Sequence, residues 1–159
     1  MSIHPEAAIG HVHLTVADLD RSLGFYRDVL GFEVTARYGD SAVFLSAGGY
    51  HHHIGLNTWS GKGATPPPRG HSGLFHFAIL YPTRKELAAA LKKLIDVGYP
   101  LTGTADHGVS EAIYLDDPDG IGVELYADRP RSKWNVSNDG AVEMVTEALD
   151  VDSLLAELG

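Results

Sequence analysis

The sequence predicts an α+β fold of two repeated βαβββ modules forming a cup-shaped mixed sheet with the helices outside. Three observations carry that prediction. An alternating run at residues 9–16 leads into a helical pattern and then into further strand-like runs. The same order of patterns restarts at residue 74. Between the copies lies a Gly/Pro-rich stretch, SGKGATPPPRGHSG. The expected organisation is a single domain over 1–159, with module one at 9–59, a linker at 60–73, module two at 74–127 and a C-terminal extension at 128–159.

Each element has a local reason. In IGHVHLTV, Val12, Leu14 and Val16 alternate with His11, His13 and Thr15, so the two histidines share one face of a strand. Asp18 stands where a helix N-cap belongs, before LDRSLGFYRDVLG. Leu19, Leu23, Tyr26 and Leu30 fall at helical spacing there, and Gly31 is the stop. FEVTARYG, SAVFLSA and HHHIGLNTW read as three strands, with turns at Gly39-Asp40 and Gly48-Gly49. In the second copy LFHFAIL is a strand, and Thr83 and Glu86 have capping-box spacing. KELAAALKKLIDVG is a helix with Leu87, Leu91 and Leu94 on one face and Gly98 as its stop.

PLTGTADH, EAIYLD and IGVELYA supply the later strands. The last two flank DDPDG, where Pro118 fixes φ and Gly120 can take a positive φ, so they form a hairpin. Alternation puts Ile121, Val123 and Leu125 on one face of the closing strand and Gly122, Glu124 and Tyr126 on the other. Tyr114 likewise faces away from Ile113 and Leu115. VDSLLAEL reads as a short C-terminal helix capped by Asp152.

Composition narrows the function classes. The chain has 159 residues, and 12 Lys and Arg against 21 Asp and Glu give a formal charge of -9. Such a balance argues against a nucleic-acid partner, because phosphate binding needs a basic surface. No apolar run is long enough to span a membrane, and the opening residues lack a signal-peptide pattern, so a cytoplasmic location is expected. There is no cysteine, hence no disulfide and no thiolate metal site. Nine histidines mean that any metal is held by imidazole and carboxylate.

The repeat then places the chemistry. His11 and His76 hold the same position in the first strand of each copy, and His53 and Glu124 read as equivalent in the last strand. A pseudo-two-fold would gather the four side chains around one point of the inner face. A carboxylate in a strand is costly to bury unless it is paired or bound to metal. Two histidines and one carboxylate are the facial triad that leaves open positions on ferrous iron. A lone histidine on a strand is usually an ordinary core or surface residue, and His13, His51, His52 and His71 are given no role.

These residues resemble the glyoxalase/bleomycin-resistance/dioxygenase superfamily, the vicinal oxygen chelate proteins. HVHLTVADLDRSLGFYRDVLGF resembles its opening strand and helix, and DDPDGIGVE its closing hairpin, within a match over 9–127. Inside that superfamily the chain is most similar to one-domain extradiol dioxygenases of the catechol 2,3-dioxygenase type. Their signature reads here as His107, Ile113, Tyr114, Asp117, Pro118, Gly120 and Glu124, with Ala105 a departure from the glycine favoured there. The resemblance implies His11, His76 and Glu124 as metal ligands and His53, His107 and Tyr114 as catalytic residues. It implies Fe(2+), which Mn(2+) can replace, a catechol-like aromatic diol and O2 as substrates, and permits a homodimer. His53 stays open between a proton-transferring acid/base and the fourth metal ligand of a glyoxalase-like lyase or thiol transferase. A metal-free drug-binding protein is the remaining alternative.

Overall fold

β1, Val12–Thr15, begins the first of two units into which the chain divides, Met1–His71 and Ser72–Gly159. The computed structural model describes residues 2–68 and 70–159, so Arg69 of the expected linker lies outside the described residues. In the first unit β2 (Glu33–Tyr38), β3 (Ala42–Ser46) and β4 (Ile54–Asn57) complete a four-stranded sheet of order β1-β4-β3-β2. β1 runs parallel to β4, and the other neighbours are antiparallel. Leu14, Val16, Val43, Leu45, Ile54 and Leu56 are buried and make this unit's core with the helical segment.

That segment departs from the expected helix. α1 covers only Leu19–Leu23, and a π-helical turn follows over Gly24–Val29. The Leu30 amide accordingly donates to the Phe25 carbonyl, five residues back. Leu23, Phe25 and Tyr26 are all buried. The wider turn adds one residue to the helical repeat, so the residues after Phe25 are shifted from where a 3.6-residue period would place them. Asp18 caps α1 as expected, its carboxylate accepting from the Arg21 amide at 3.0 Å. The histidine run is also placed differently. β4 starts at Ile54, and His51–His53 complete the turn that Gly48 and Gly49 open with positive φ. His53 joins the ladder through its backbone, donating to Leu45 and accepting from Val12.

The second unit repeats the plan. β5 (His76–Tyr81), α2 (Arg84–Asp96), β6 (Gly103–Asp106), β7 (Ser110–Asp116) and β8 (Gly122–Asp128) give a sheet of order β5-β8-β7-β6, again with the first strand parallel to the last. Here the helix is regular, and Leu87, Leu91 and Leu94 are buried on one face. The capping box forms between side chains, the Thr83 hydroxyl donating to the Glu86 carboxylate; neither bonds a helix amide through the cap oxygen. The fold is thus α+β with two βαβββ copies.

The C-terminal extension adds β9 (Asn135–Val136), β10 (Val142–Glu143) and α3 (Val151–Leu155). The cap of α3 is Asp150, which accepts from the Ser153 amide, and not Asp152, which lies inside the first turn. Arg84 ties α3 to α2, donating to Glu111, Glu157 and the Ser153 carbonyl. Among the described residues no helix is long and apolar enough to cross a membrane.

Strand register corrects one expected equivalence. His13 and Ala78 stand equally far before the capping residues Asp18 and Thr83, and they pair with Gly55 and Glu124 respectively. The first-module counterpart of Glu124 is therefore Gly55, not His53. The sequence comparison slipped because His53 belongs to the turn before β4, and turns do not keep a strand's spacing.

Candidate active site

The second unit assembles four of the expected residues into one connected group. β8 lies beside both β5 and β7, so Glu124 pairs with Ala78 on one side and Tyr114 on the other. Strand neighbours share a face, and Ala78 has no bulk to fill it. Glu124 is 8% exposed, and its Oε2 lies 2.9 Å from the His76 Nε2. His76 stands opposite Gly122, where an added Cβ would come within 2.3 Å of the Phe75 carbonyl oxygen and 2.9 Å of the His76 Cβ. Glycine there lets β8 approach β5 closely enough to bring the carboxylate to the imidazole.

Tyr114 continues the chain of contacts. Its ring centroid lies 5.6 Å from that of His76, and its hydroxyl is 2.7 Å from the His107 Nε2. Burial, reinforced by the charge and hydrogen bonding of Glu124, pushes the Tyr114 phenol up to about 12. The group therefore stays a hydrogen-bond donor across the whole neutral range. His107 follows β6, and its Nδ1 lies 2.8 Å from the Val145 carbonyl oxygen in the C-terminal extension. The hairpin turn that positions Glu124 is built by Asp117, whose buried carboxylate accepts from the amides of Asp119 and Ile121.

In the first unit the histidines form a different arrangement. The exposed His11 ring packs on His52 at 4.4 Å, and His51 Nδ1 is 2.7 Å from His52 Nδ1. Burial and the surrounding imidazoles lower the pKa of His52, so that ring resists becoming a cation. His53 is held from its Nδ1 side by the Ser46 hydroxyl at 3.0 Å and the Ala47 amide at 3.4 Å. An amide can only donate, so Nδ1 is the accepting nitrogen and the proton of a neutral His53 sits on Nε2. His13 covers Gly55, against the rings of Phe44 and Trp59.

Among the described residues no three histidine, aspartate or glutamate side chains are arranged as a metal-holding group. His76 and Glu124 stand as a two-member pair, while His11 is in the other unit. The pair suits a divalent ion: two hard-to-borderline donors, with no lysine or arginine among the described residues bonded to Glu124. His76 Nδ1 is buried with no hydrogen-bond partner among the described residues, an orphaned polar atom beside the pair. Sequence reasoning missed the Val145 carbonyl. A backbone oxygen leaves no mark in residue type, and no signal in the chain announces it.

Residues 8–125 match the family model for the glyoxalase/bleomycin resistance protein/dioxygenase superfamily. Over 158 residues the chain is 46% identical to a catechol-2,3-dioxygenase of Bacillus subtilis (strain 168), covering 99% of this chain and 54% of that protein. It is 33% identical over 129 residues to biphenyl-2,3-diol 1,2-dioxygenase 3 of Rhodococcus globerulus, covering 80% of this chain and 66% of the relative. The chain thus spans about half to two thirds of the length of these curated relatives. A crystal structure of a lactoylglutathione lyase from Agrobacterium tumefaciens superposes with a TM-score of 0.60 at 27% identity, covering 78% of this chain and 96% of that one.

Proposed function

We propose that this chain, which belongs to the glyoxalase/bleomycin resistance protein/dioxygenase superfamily, is a metal-dependent extradiol dioxygenase that opens catechol-like aromatic diols with O2. The observation that carries the reading is the linked set His76–Glu124–Tyr114–His107, in which two candidate ligands touch a tyrosine donor and a histidine. The high identity to a protein named catechol-2,3-dioxygenase supports it.

In this reading His11, His76 and Glu124 hold Fe(2+), with Mn(2+) an alternative that the same donors accept. A bound ferrous ion supplies a Lewis acid for the diol oxygens and an electron source for O2. The protein's own groups do the rest. Tyr114, neutral well above the physiological range because its phenol is pushed up to about 12, hydrogen-bonds a substrate oxygen beside Glu124. His53, with Nδ1 engaged, offers its Nε2 proton to the reacting oxygens and takes it back. His107 presents Nε2 to Tyr114 and accepts the proton that substrate binding releases through the phenol. Gly55 at the first-module counterpart of Glu124 supports three protein ligands instead of four, because glycine has no donor to offer.

The test is oxygen uptake by the Fe(2+)-loaded chain with catechol, followed by the absorbance of a yellow ring-opened product. Uptake matched by product supports the dioxygenase. Metal retained without oxygen uptake, together with turnover of a thiohemiacetal, replaces it with the lyase reading that the Agrobacterium neighbour suggests. A chain that binds no metal replaces both with a binding protein.

A further inference from the structure

The C-terminal extension reaches past the end of the family match at residue 125 and meets the site at His107. Two contacts bracket that residue. Asp106 and Glu147 exchange backbone hydrogen bonds in both directions, at 3.0 and 2.9 Å, and the Val145 amide donates to the His107 carbonyl at 3.1 Å. Gly108, in a positive-φ conformation, makes room: a Cβ there would sit 3.3 Å from the Val145 Cγ2. The extension is therefore laid along β6 as a further edge, and it turns the Val145 carbonyl oxygen to within 2.8 Å of the His107 Nδ1. The Thr146 hydroxyl stands farther from the same nitrogen, at 3.5 Å.

We propose that the Val145 carbonyl is a positioning group for the reaction: it fixes neutral His107 as the Nδ1–H tautomer and thereby presents Nε2 to the Tyr114 hydroxyl as a base. The argument is donor arithmetic. A carbonyl oxygen has no proton, so the 2.8 Å contact needs one on Nδ1. The opposite tautomer would set an imidazole lone pair against a carbonyl lone pair at that distance. With Nδ1 committed, the Nε2 lone pair of neutral His107 stands as an acceptor for the Tyr114 proton, in competition with the Glu124 carboxylate. When His107 takes up a proton, Nε2–H donates to Tyr114 and the phenol proton turns to Glu124 or to substrate. One backbone oxygen outside the family core thus sets the direction of the relay. His107 and His53 then carry opposite tautomers, one ready to accept a proton and the other to give one.

This rests on the dioxygenase reading for its meaning in turnover, yet the tautomer itself is measured without activity. The full chain, carrying zinc(II) in place of iron, is examined by long-range 1H–15N correlation of its imidazoles at about pH 8, above the ordinary histidine range. His107, assigned by loss of its signals in His107→Gln, is expected as a single neutral Nδ1–H form. An Nε2–H form, an average of the two, or a cation at that pH overturns the proposal. Val145→Pro removes the amide that holds the segment, and Glu147→Pro loosens it from the other side should the first fail to fold. Either folded variant should show averaged tautomers and, with iron and catechol, about a tenfold lower kcat at little-changed KM. A variant that displaces the tautomer and keeps wild-type kcat also overturns it. A wild-type chain with the Nδ1–H form and no oxygen uptake refutes the dioxygenase reading while leaving the tautomer assignment standing.

Discussion

The two modules fill one equivalent place from opposite strands. In the first, β1 supplies a large side chain, His13, and β4 supplies none, because Gly55 lies beneath the ring with the His13 Cδ2 2.9 Å from where its Cβ would be. In the second, β5 supplies only Ala78 and β8 supplies Glu124. Neighbours across a parallel pair share one volume, so bulk on one strand requires its absence on the other. Which strand provides the polar group decides the chemistry. A carboxylate on β8 reaches His76 and Tyr114, whereas the imidazole on β1 ends among Phe44 and Trp59. The same backbone plan thus carries a carboxylate–imidazole pair in one copy and a ring packed on aromatics in the other.

The largest expected effect separates these two pairs directly. Glu124→Ala should lower iron per chain by at least about tenfold and remove oxygen uptake with it, while His13→Ala should leave iron content near wild type. Metal analysis of the two purified variants decides; a similar loss in both would erase the distinction between the modules.

Next come the close-approach glycines. Gly122→Ala pushes a methyl group onto the Phe75 backbone oxygen, which cannot turn aside, and should cost at least about 3 kcal/mol in urea unfolding. Gly55→Ala meets only a side-chain ring and should cost about 1 kcal/mol. The latter cost should vanish in a His13→Ala background, a non-additivity that the double-mutant cycle measures. Equal costs for the two glycines, or an unchanged Gly55→Ala cost without the ring, would mean that the strands adjust in some other way.

A smaller effect follows from Tyr114. Its pKa is raised from 10.0 to about 12 in the folded chain by burial and by Glu124. Below about pH 10 the phenol is neutral in both states and its contribution to stability is complete. Between about pH 10 and 12 the unfolded chain ionises first, so stability is lost as pH rises, by roughly 1–2 kcal/mol after allowing for partial solvent contact. Comparing unfolding of wild type and Tyr114→Phe across that window checks the sign: the wild type should fall faster. A matching loss in Tyr114→Phe would trace the effect to another group, such as Tyr99, which burial also pushes up to about 12. The smallest contrast lies at the helix starts. Asp18→Ala removes an oxygen that bonds the Arg21 amide, and Thr83→Ala removes one that bonds no helix amide. Thermal melts should show the larger drop for Asp18→Ala.

Much of this molecule was readable from residue type because the relevant interactions are local. Period-two alternation placed β1 and β8, Asp18 and Gly98 marked helix ends, and the DDPDG turn signalled the hairpin that carries Tyr114 and Glu124. Everything set by distant segments escaped. The π-helical turn over Gly24–Val29 interrupts a segment whose leucine and aromatic spacing reads as a regular helix. The pairing of Glu124's counterpart with His13 depends on how β1 slides along β4, with a whole helix and hairpin between them in sequence. The Val145 contact joins the His107 imidazole to a backbone 38 residues on, through an oxygen that every amino acid possesses. Sequence carries side-chain chemistry and local geometry; register and backbone contacts across long separations exist only once the chain has packed, because nothing in residue identity distinguishes one carbonyl from another.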